Sequence, residues 1–175
     1  MTETIFWDLI NQSKAETIYK PDQFFNTLEE KLCRLDGDQI LRFDMILHEV
    51  VRVGFRSNLL AAAYIINAGA DLEDFQDFLG YLIIQGKEVW DNALKNPDFL
   101  ADVEIEDEAS CAKIWEIPSI SYERVTGEED FEMVHFDYMP NNLIGSPELW
   151  HDSNNKVDKN KLKELLPRLY EKWWE

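Results

Sequence analysis

Asp44, His48 and Arg52 stand at successive intervals of four. On a helix this spacing puts all three side chains on one face. A carboxylate, an imidazole and a guanidinium so placed can form an ion network, at the surface or partly buried. They can also line a polar pocket. His48-Glu49 opens like the helix motif of zinc proteases. That motif needs a second histidine four residues after the first, on the same face, to hold the metal. Arg52 occupies that position, so zinc proteolysis is set aside. Gln85-Gly86-Lys87 offers a second possibility, a close backbone approach with an ammonium beside a ligand. Gly86 alone also explains the triplet as a helix break. The candidate catalytic residues are therefore Asp44, His48, Arg52, Gln85 and Lys87.

Two further groups carry less. His135-x-Asp137 and His151-Asp152 could bind a divalent cation if the chain folded them together. Nothing in their spacing requires it, and no metal or cofactor is assigned. Glu123 with Glu128, Glu129 and Asp130 could be paired acids for hydrolysis, but a solvated acidic turn explains them more simply. There is no phosphate loop, no Gly-rich dinucleotide turn and no serine nucleophile elbow.

The formal net charge of -18 constrains the partners. Phosphate backbones would be repelled, which argues against nucleic acid, and anionic membranes are disfavoured. A basic protein partner suits this field; so does plain solubility. The charge is uneven. Residues 71–108 carry twelve acids against two bases, whereas the tail from Lys156 is the only segment of net positive charge. Hydrophobic residues make up 45% of the 175, too many for a disordered chain and enough for one domain with a sizeable core. No apolar run is long enough to cross a bilayer, and the N-terminus does not read as a secretion signal. Cys33 and Cys111 read as two free thiols, which fits a cytoplasmic protein.

These side chains need a scaffold, and its centre is a helix pair within Leu59–Leu100. Leu59 to Ile66 is apolar nearly all round, so that helix must be buried on most sides. Gly69 stops it, and Asp71 caps the next, with Glu73 and Asp74 in its positive first turn. Leu72, Phe75, Leu79, Leu82 and Ile83 recur there at helical spacing, and Val89, Trp90 and Leu94 continue after Gly86. Before the pair, a first helix reaches about Gln12 with Ile5, Phe6, Leu9 and Ile10 as its stripe. A second begins at Pro21, and a third runs from about Asp38 to Val53 behind an Asp36–Gln39 capping box. After it, Asn96-Pro97 opens a short turn and 102–108 is an acidic connector. Ala109 to Ile117 reads as helical with Pro118 interrupting, and Ser119 to Thr126 as helical with Gly127 past its end. Residues 128–155 have no clear period, and Phe131 to Tyr138 is the best strand candidate. Asp158 caps a last helix, kinked or restarted at Pro167, that docks through Leu162, Leu165, Leu166, Leu169, Tyr170 and Trp173. The fold class is mainly α: a single compact helical domain around a buried central helix pair.

Several of these stretches together resemble one family. They are Phe6-Trp7-x-Leu9-Ile10, Leu41-x-Phe43-Asp44, Ala61-Ala62-Ala63-Tyr64-Ile65-Ile66 and Leu82-Ile83-x-Gln85-Gly86-Lys87-Glu88, followed by Asn96-Pro97-Asp98-x-Leu100-Ala101 and Leu166-Pro167-Arg168-Leu169-Tyr170. In order and spacing the chain resembles the bacterial domain of unknown function 4240 family. The resemblance implies a small, mainly helical bacterial cytoplasmic domain and brings no established activity. It also implies two departures. The family pattern has Gly-Gly-Cys-Ser-Asp-Asp where this chain has Ala68-Gly69-Ala70-Asp71-Leu72-Glu73, and an Arg and a Trp at the positions of Leu79 and Tyr81.

Two functional expectations follow. The first is a non-catalytic protein-binding module, of immunity, inhibitor or regulatory type, with a basic protein partner. The second is an enzyme of unrecognised type with a polar pocket near Asp44, His48, Arg52, Gln85 and Lys87.

Overall fold

The computed structural model describes residues 1–17, 23–105, 109–129, 131, 150–151 and 156–174. Among these residues the chain is helical, without strands. The strand candidate at 131–138, apart from Phe131, and most of the irregular stretch at 128–155 lie outside them, as does Pro21.

The local signals explain most helix starts. Thr2 caps α1 (Glu3–Glu16), its hydroxyl accepting from the Ile5 N–H. This helix continues a turn beyond Gln12, carrying Ser13 and Lys14 inward. Phe6, Trp7 and Ile10 form its buried stripe, while Ile5 faces solvent. α2 (Phe24–Leu32) buries Phe24, Leu28 and Leu32. At α3 (Gly37–Gly54) both halves of the Asp36–Gln39 capping box are made.

α4 (Ser57–Ile66) is the enclosed centre. Leu59, Ala61, Ala62 and Ala63 have no exposed surface. It packs against α5 (Leu72–Ile84), against α9 (Pro167–Trp174) and against the 3-10 turn Pro97–Asp102. Two tryptophans fasten its ends. The Trp150 indole N–H donates to the Ser57 hydroxyl at 3.2 Å and that of Trp174 to the Ile65 carbonyl at 2.9 Å. Tyr64 contacts both rings.

Two expectations about this region are corrected. Leu72 is not part of the apolar stripe of α5: it stands 56% exposed at the first helical position, before the helix turns inward with Phe75. Pro118 does not interrupt a helix. Residues 109–117 form only the short 3-10 turn Ala112–Trp115, and α7 (Ile117–Thr126) begins there, with Pro118 in its first turn where the missing N–H is not needed. Gly80 explains how this segment lies so close to α5, since a Cβ there would sit 2.7 Å from the Cys111 carbonyl oxygen.

α6 (Lys87–Lys95) follows Gly86, whose φ of +93° lets the chain turn between helices without a break in packing. The tail is two helices: α8 (Lys159–Leu165), capped by Asp158, and then α9 from Pro167. Leu162, Leu166 and Leu169 are buried, and Leu165, Tyr170, Trp173 and Trp174 pack half-buried against the core.

Candidate functional site

Asp44 and His48 come together inside the protein. Both are buried on α3, with His48 Nε2 3.6 Å from Asp44 Oδ1. The imidazole stacks on Trp115 at 6.1 Å, and the Trp115 indole N–H donates to Asp77 Oδ1 at 3.0 Å. Arg52, one turn further on, is exposed. The shared face predicted from spacing therefore runs out of the core before its third member.

Gln85 and Lys87 flank Gly86 at the junction of α5 and α6, where α1 crosses. Lys14 Nζ donates to the Gln85 carbonyl oxygen at 2.7 Å and to its side-chain Oε1 at 3.1 Å. The Lys87 N–H donates to Asn11 Oδ1 at 3.1 Å, and a Cβ on Gly86 would meet that same oxygen at 2.7 Å. The expected close backbone approach is thus real, but the neighbour is Asn11. The Lys87 ammonium bonds Asp91 and lies 5.6 Å over the Trp7 ring.

Beside this junction opens a cleft of about 750 Å³. Its described apolar walls are Phe24 and Phe25 of α2, Tyr81 and Ile84 of α5, Val89 of α6 and Val103. Lys14, Gln85, Glu104 and Lys113 supply charged and polar groups, and Thr17, Ser110 and Cys111 complete one side. Of the five candidates only Gln85 is among these described lining residues; Asp44, His48, Arg52 and Lys87 are not.

Burial sets the electrostatics of the cleft. It lowers the Lys14 pKa from its ordinary value, with the Glu88 charge pulling it partly back. It pushes the Cys111 thiol up to about 11, with Asp77 adding in the same direction and backbone hydrogen bonds at Ile114 and Lys113 opposing. A thiol so shifted is protonated at neutral pH and is no nucleophile. The Lys113 ammonium lies 5.1 Å over the Phe25 ring, a cation–π contact at the rim. Such a cleft can hold and orient a ligand of several heavy atoms.

The other candidates are placed more simply. Among the described residues no three His, Cys, Asp or Glu side chains gather to hold a metal ion. His151 packs on Trp150, while His135, Asp137 and Asp152 lie outside the described residues. Glu123, Glu128 and Glu129 are exposed, and Glu128 accepts a hydrogen bond from the Tyr122 hydroxyl; Asp130 is not described. Also among the described residues, no helix is long and apolar enough to cross a membrane.

Sequence reasoning missed Lys14, Lys113 and Phe25. One local signal was available. Lys14 falls on the same face of α1 as Trp7 and Ile10, at successive intervals of three and four, where an ammonium is out of place unless something receives it.

The fold and the cleft define a mainly α protein built on a buried helix pair, with an amphipathic recess beside the α5–α6 junction. Residues 1–124 match the family model described as protein of unknown function (DUF4240), and the chain belongs to that family. No curated protein and no solved structure matches it.

Proposed function

We propose that the chain is a single-domain, non-catalytic binding module, of inhibitor, immunity or regulatory type, that works by contact with a basic protein. The observation that carries this reading is the turn from α4 into α5. Leu72 stands exposed there between the exposed acids Asp71, Glu73 and Asp74. An apolar centre within a charged rim is the usual anatomy of a recognition surface. The surplus of acid over base in residues 71–108 gives it a field that speeds encounter with a cationic partner and makes the rate salt-sensitive. The enzyme reading gains less. His48 stacks on Trp115 beside Asp44, neither is among the described cleft lining, and the Cys111 thiol in that lining is held protonated.

The test is affinity capture from the native host at low and moderate salt, with wild type beside a Leu72→Ser, Glu73→Lys double variant. Asp71 and Asp74 are left alone because they form the capping box of α5. A stoichiometric basic protein held by wild type and lost by the variant is the expected result. No partner in either salt, or equal capture by both proteins, refutes the reading.

A further inference from the structure

We infer that the cleft beside the α5–α6 junction is a binding site for a small amphipathic anion: a compact aromatic or branched aliphatic body carrying one carboxylate. The site is independent of the acidic turn and does not rest on the protein-binding reading.

Three observations converge. The first is size and lining. A volume of about 750 Å³ falls within the range of small-molecule sites, and Phe24, Phe25 and Tyr81 supply flat apolar walls for a ring or branched chain.

The second is the hydrogen-bond inventory. An ammonium carries three donors, and two of those on Lys14 reach Gln85. The Gln85 amide oxygen receives one of them, which leaves its NH₂ with two donors. One N–H of Lys14 and two of Gln85 are therefore without a described partner in the cleft wall. The groups that Lys14 and Gln85 leave open to a ligand are donors, so a ligand that meets this pair brings acceptors. A carboxylate, with two oxygens and about four lone-pair sites, answers that set better than an alcohol or an amide.

The third is charge. In a chain of net charge -18, the described lining holds two ammonium groups, on Lys14 and Lys113, against one carboxylate, on Glu104. Glu104 is exposed and hydrated, whereas Lys14 is half-buried. Burial disfavours the charged form of Lys14, the Glu88 charge offsets this only in part, and a ligand anion beside it would add to that offset. Lys113, exposed, lies over the Phe25 ring of the same lining.

The experiment uses the full chain and three matched probes: 4-phenylbutyrate, 4-phenylbutanamide and 4-phenylbutylamine. They share one body and differ in head-group charge. Binding is followed by amide NMR shifts and by calorimetry in wild type, Lys14→Met, Lys113→Met and, as a remote control, the exposed Lys95→Met. The expected outcome is saturable binding with the carboxylate preferred over the amide and the amine, and shifts confined to residues lining the cleft. Lys14→Met should weaken the carboxylate by about tenfold, as loss of one charge-assisted hydrogen bond predicts, and leave the amide unchanged. Lys95→Met should behave as wild type. If Lys14→Met lowers the melting temperature, the exposed Lys113→Met carries the comparison instead, with a smaller loss of carboxylate affinity. Equal binding of all three probes, preference for the amine, or no saturation by about 10 mM overturns the assignment. So does carboxylate affinity unchanged in both lysine variants. Failure here would leave partner capture through Leu72 and Glu73 untouched.

Discussion

Replacing Asp98 tests how the tail is held. α9 begins at Pro167, and the N–H groups of its first turn have no partner within the helix. Asp98, 70 residues earlier in the 3-10 turn Pro97–Asp102, supplies one from outside. Its Oδ1 accepts from the N–H of Arg168 at 3.1 Å and of Leu169 at 3.0 Å, and its Oδ2 lies 3.3 Å from the Arg168 nitrogen. The residue is 7% exposed, so water cannot readily replace it. A hydrogen bond to a charged acceptor contributes about 1.5–3 kcal/mol, and a carboxylate at a helix N-terminus adds about 0.3–1 kcal/mol. The Leu169 bond is buried and its loss should be felt fully, whereas Arg168 is exposed and its N–H can turn to water.

Asp98→Ala should therefore cost about 2–4 kcal/mol, a large share of the roughly 5–15 kcal/mol that holds a typical domain. At about 2–4 °C per kcal/mol for a chain of this size, the melting temperature should fall by about 4–16 °C. Asp98→Asn keeps one acceptor and loses the charge, so it should cost about 1 kcal/mol. Urea unfolding followed by circular dichroism and by the fluorescence of the six tryptophans separates the three proteins. An alanine variant within about 0.5 kcal/mol of wild type, or an asparagine variant as damaged as the alanine one, would refute the capping argument. Arg168→Ala is the control. Its guanidinium pairs with Asp102 at the surface, where water and salt screen the pair, so its removal should leave the urea midpoint nearly unchanged.

Other outcomes follow from the same structure. Ile65→Asp places an unpaired charge in α4, where Ile65 is 1% exposed, and should cost several kcal/mol; a soluble variant with an unchanged melting temperature would show α4 not to be central. Trp150→Ala removes the ring that meets Ser57 and Tyr64 and should destabilise by about 3–5 kcal/mol in denaturant titration. At pH 8 the Cys111 thiolate should be about 100-fold scarcer than for an unshifted thiol, so iodoacetamide should label it correspondingly slowly. The same shift is linked to stability. The folded thiol keeps its proton while the unfolded one, near 9.0, has lost it, so the contribution is whole below about pH 9 and disappears towards pH 11. Wild type should therefore lose about 2–3 kcal/mol over that range relative to Cys111→Ala, compared by urea melts at each pH.

What was legible in the sequence was local. The caps at Asp36, Asp71 and Asp158 pair a side chain with a backbone two or three residues on, so residue type and spacing suffice to find them. The enclosure of α4 was legible because a helix with no polar face has no other stable setting. Leu72 and Ile5 were misplaced because spacing identifies a face without saying where along the helix that face meets the core. Pro118 was misjudged because a proline that ends one helical pattern equally well begins another. The cleft was illegible for a different reason. Phe25, Gln85 and Lys113 lie on elements far apart in the chain, and no periodicity connects them.

The tail joins both kinds of information. Its leucines announce that it docks, and burial of Leu162, Leu166 and Leu169 at about 1.5–3 kcal/mol each outweighs surface ion pairing. Its cations then serve the docking. The Lys172 ammonium donates to the carbonyls of Ala101 and Val103, Arg168 pairs with Asp102, and Lys161 donates to the His151 carbonyl. Lys159 and Lys163 lie over the rings of Trp174 and Tyr170 within the tail itself. The one positive segment is thus folded onto itself and onto the 3-10 turn at its side. None of these contacts reaches Asp71, Glu73 or Asp74, whose hydrogen bonds serve the α5 cap. Charge that could have been neutralised internally is left facing outward at the α4–α5 turn, around Leu72, which is the surface on which the binding proposal rests.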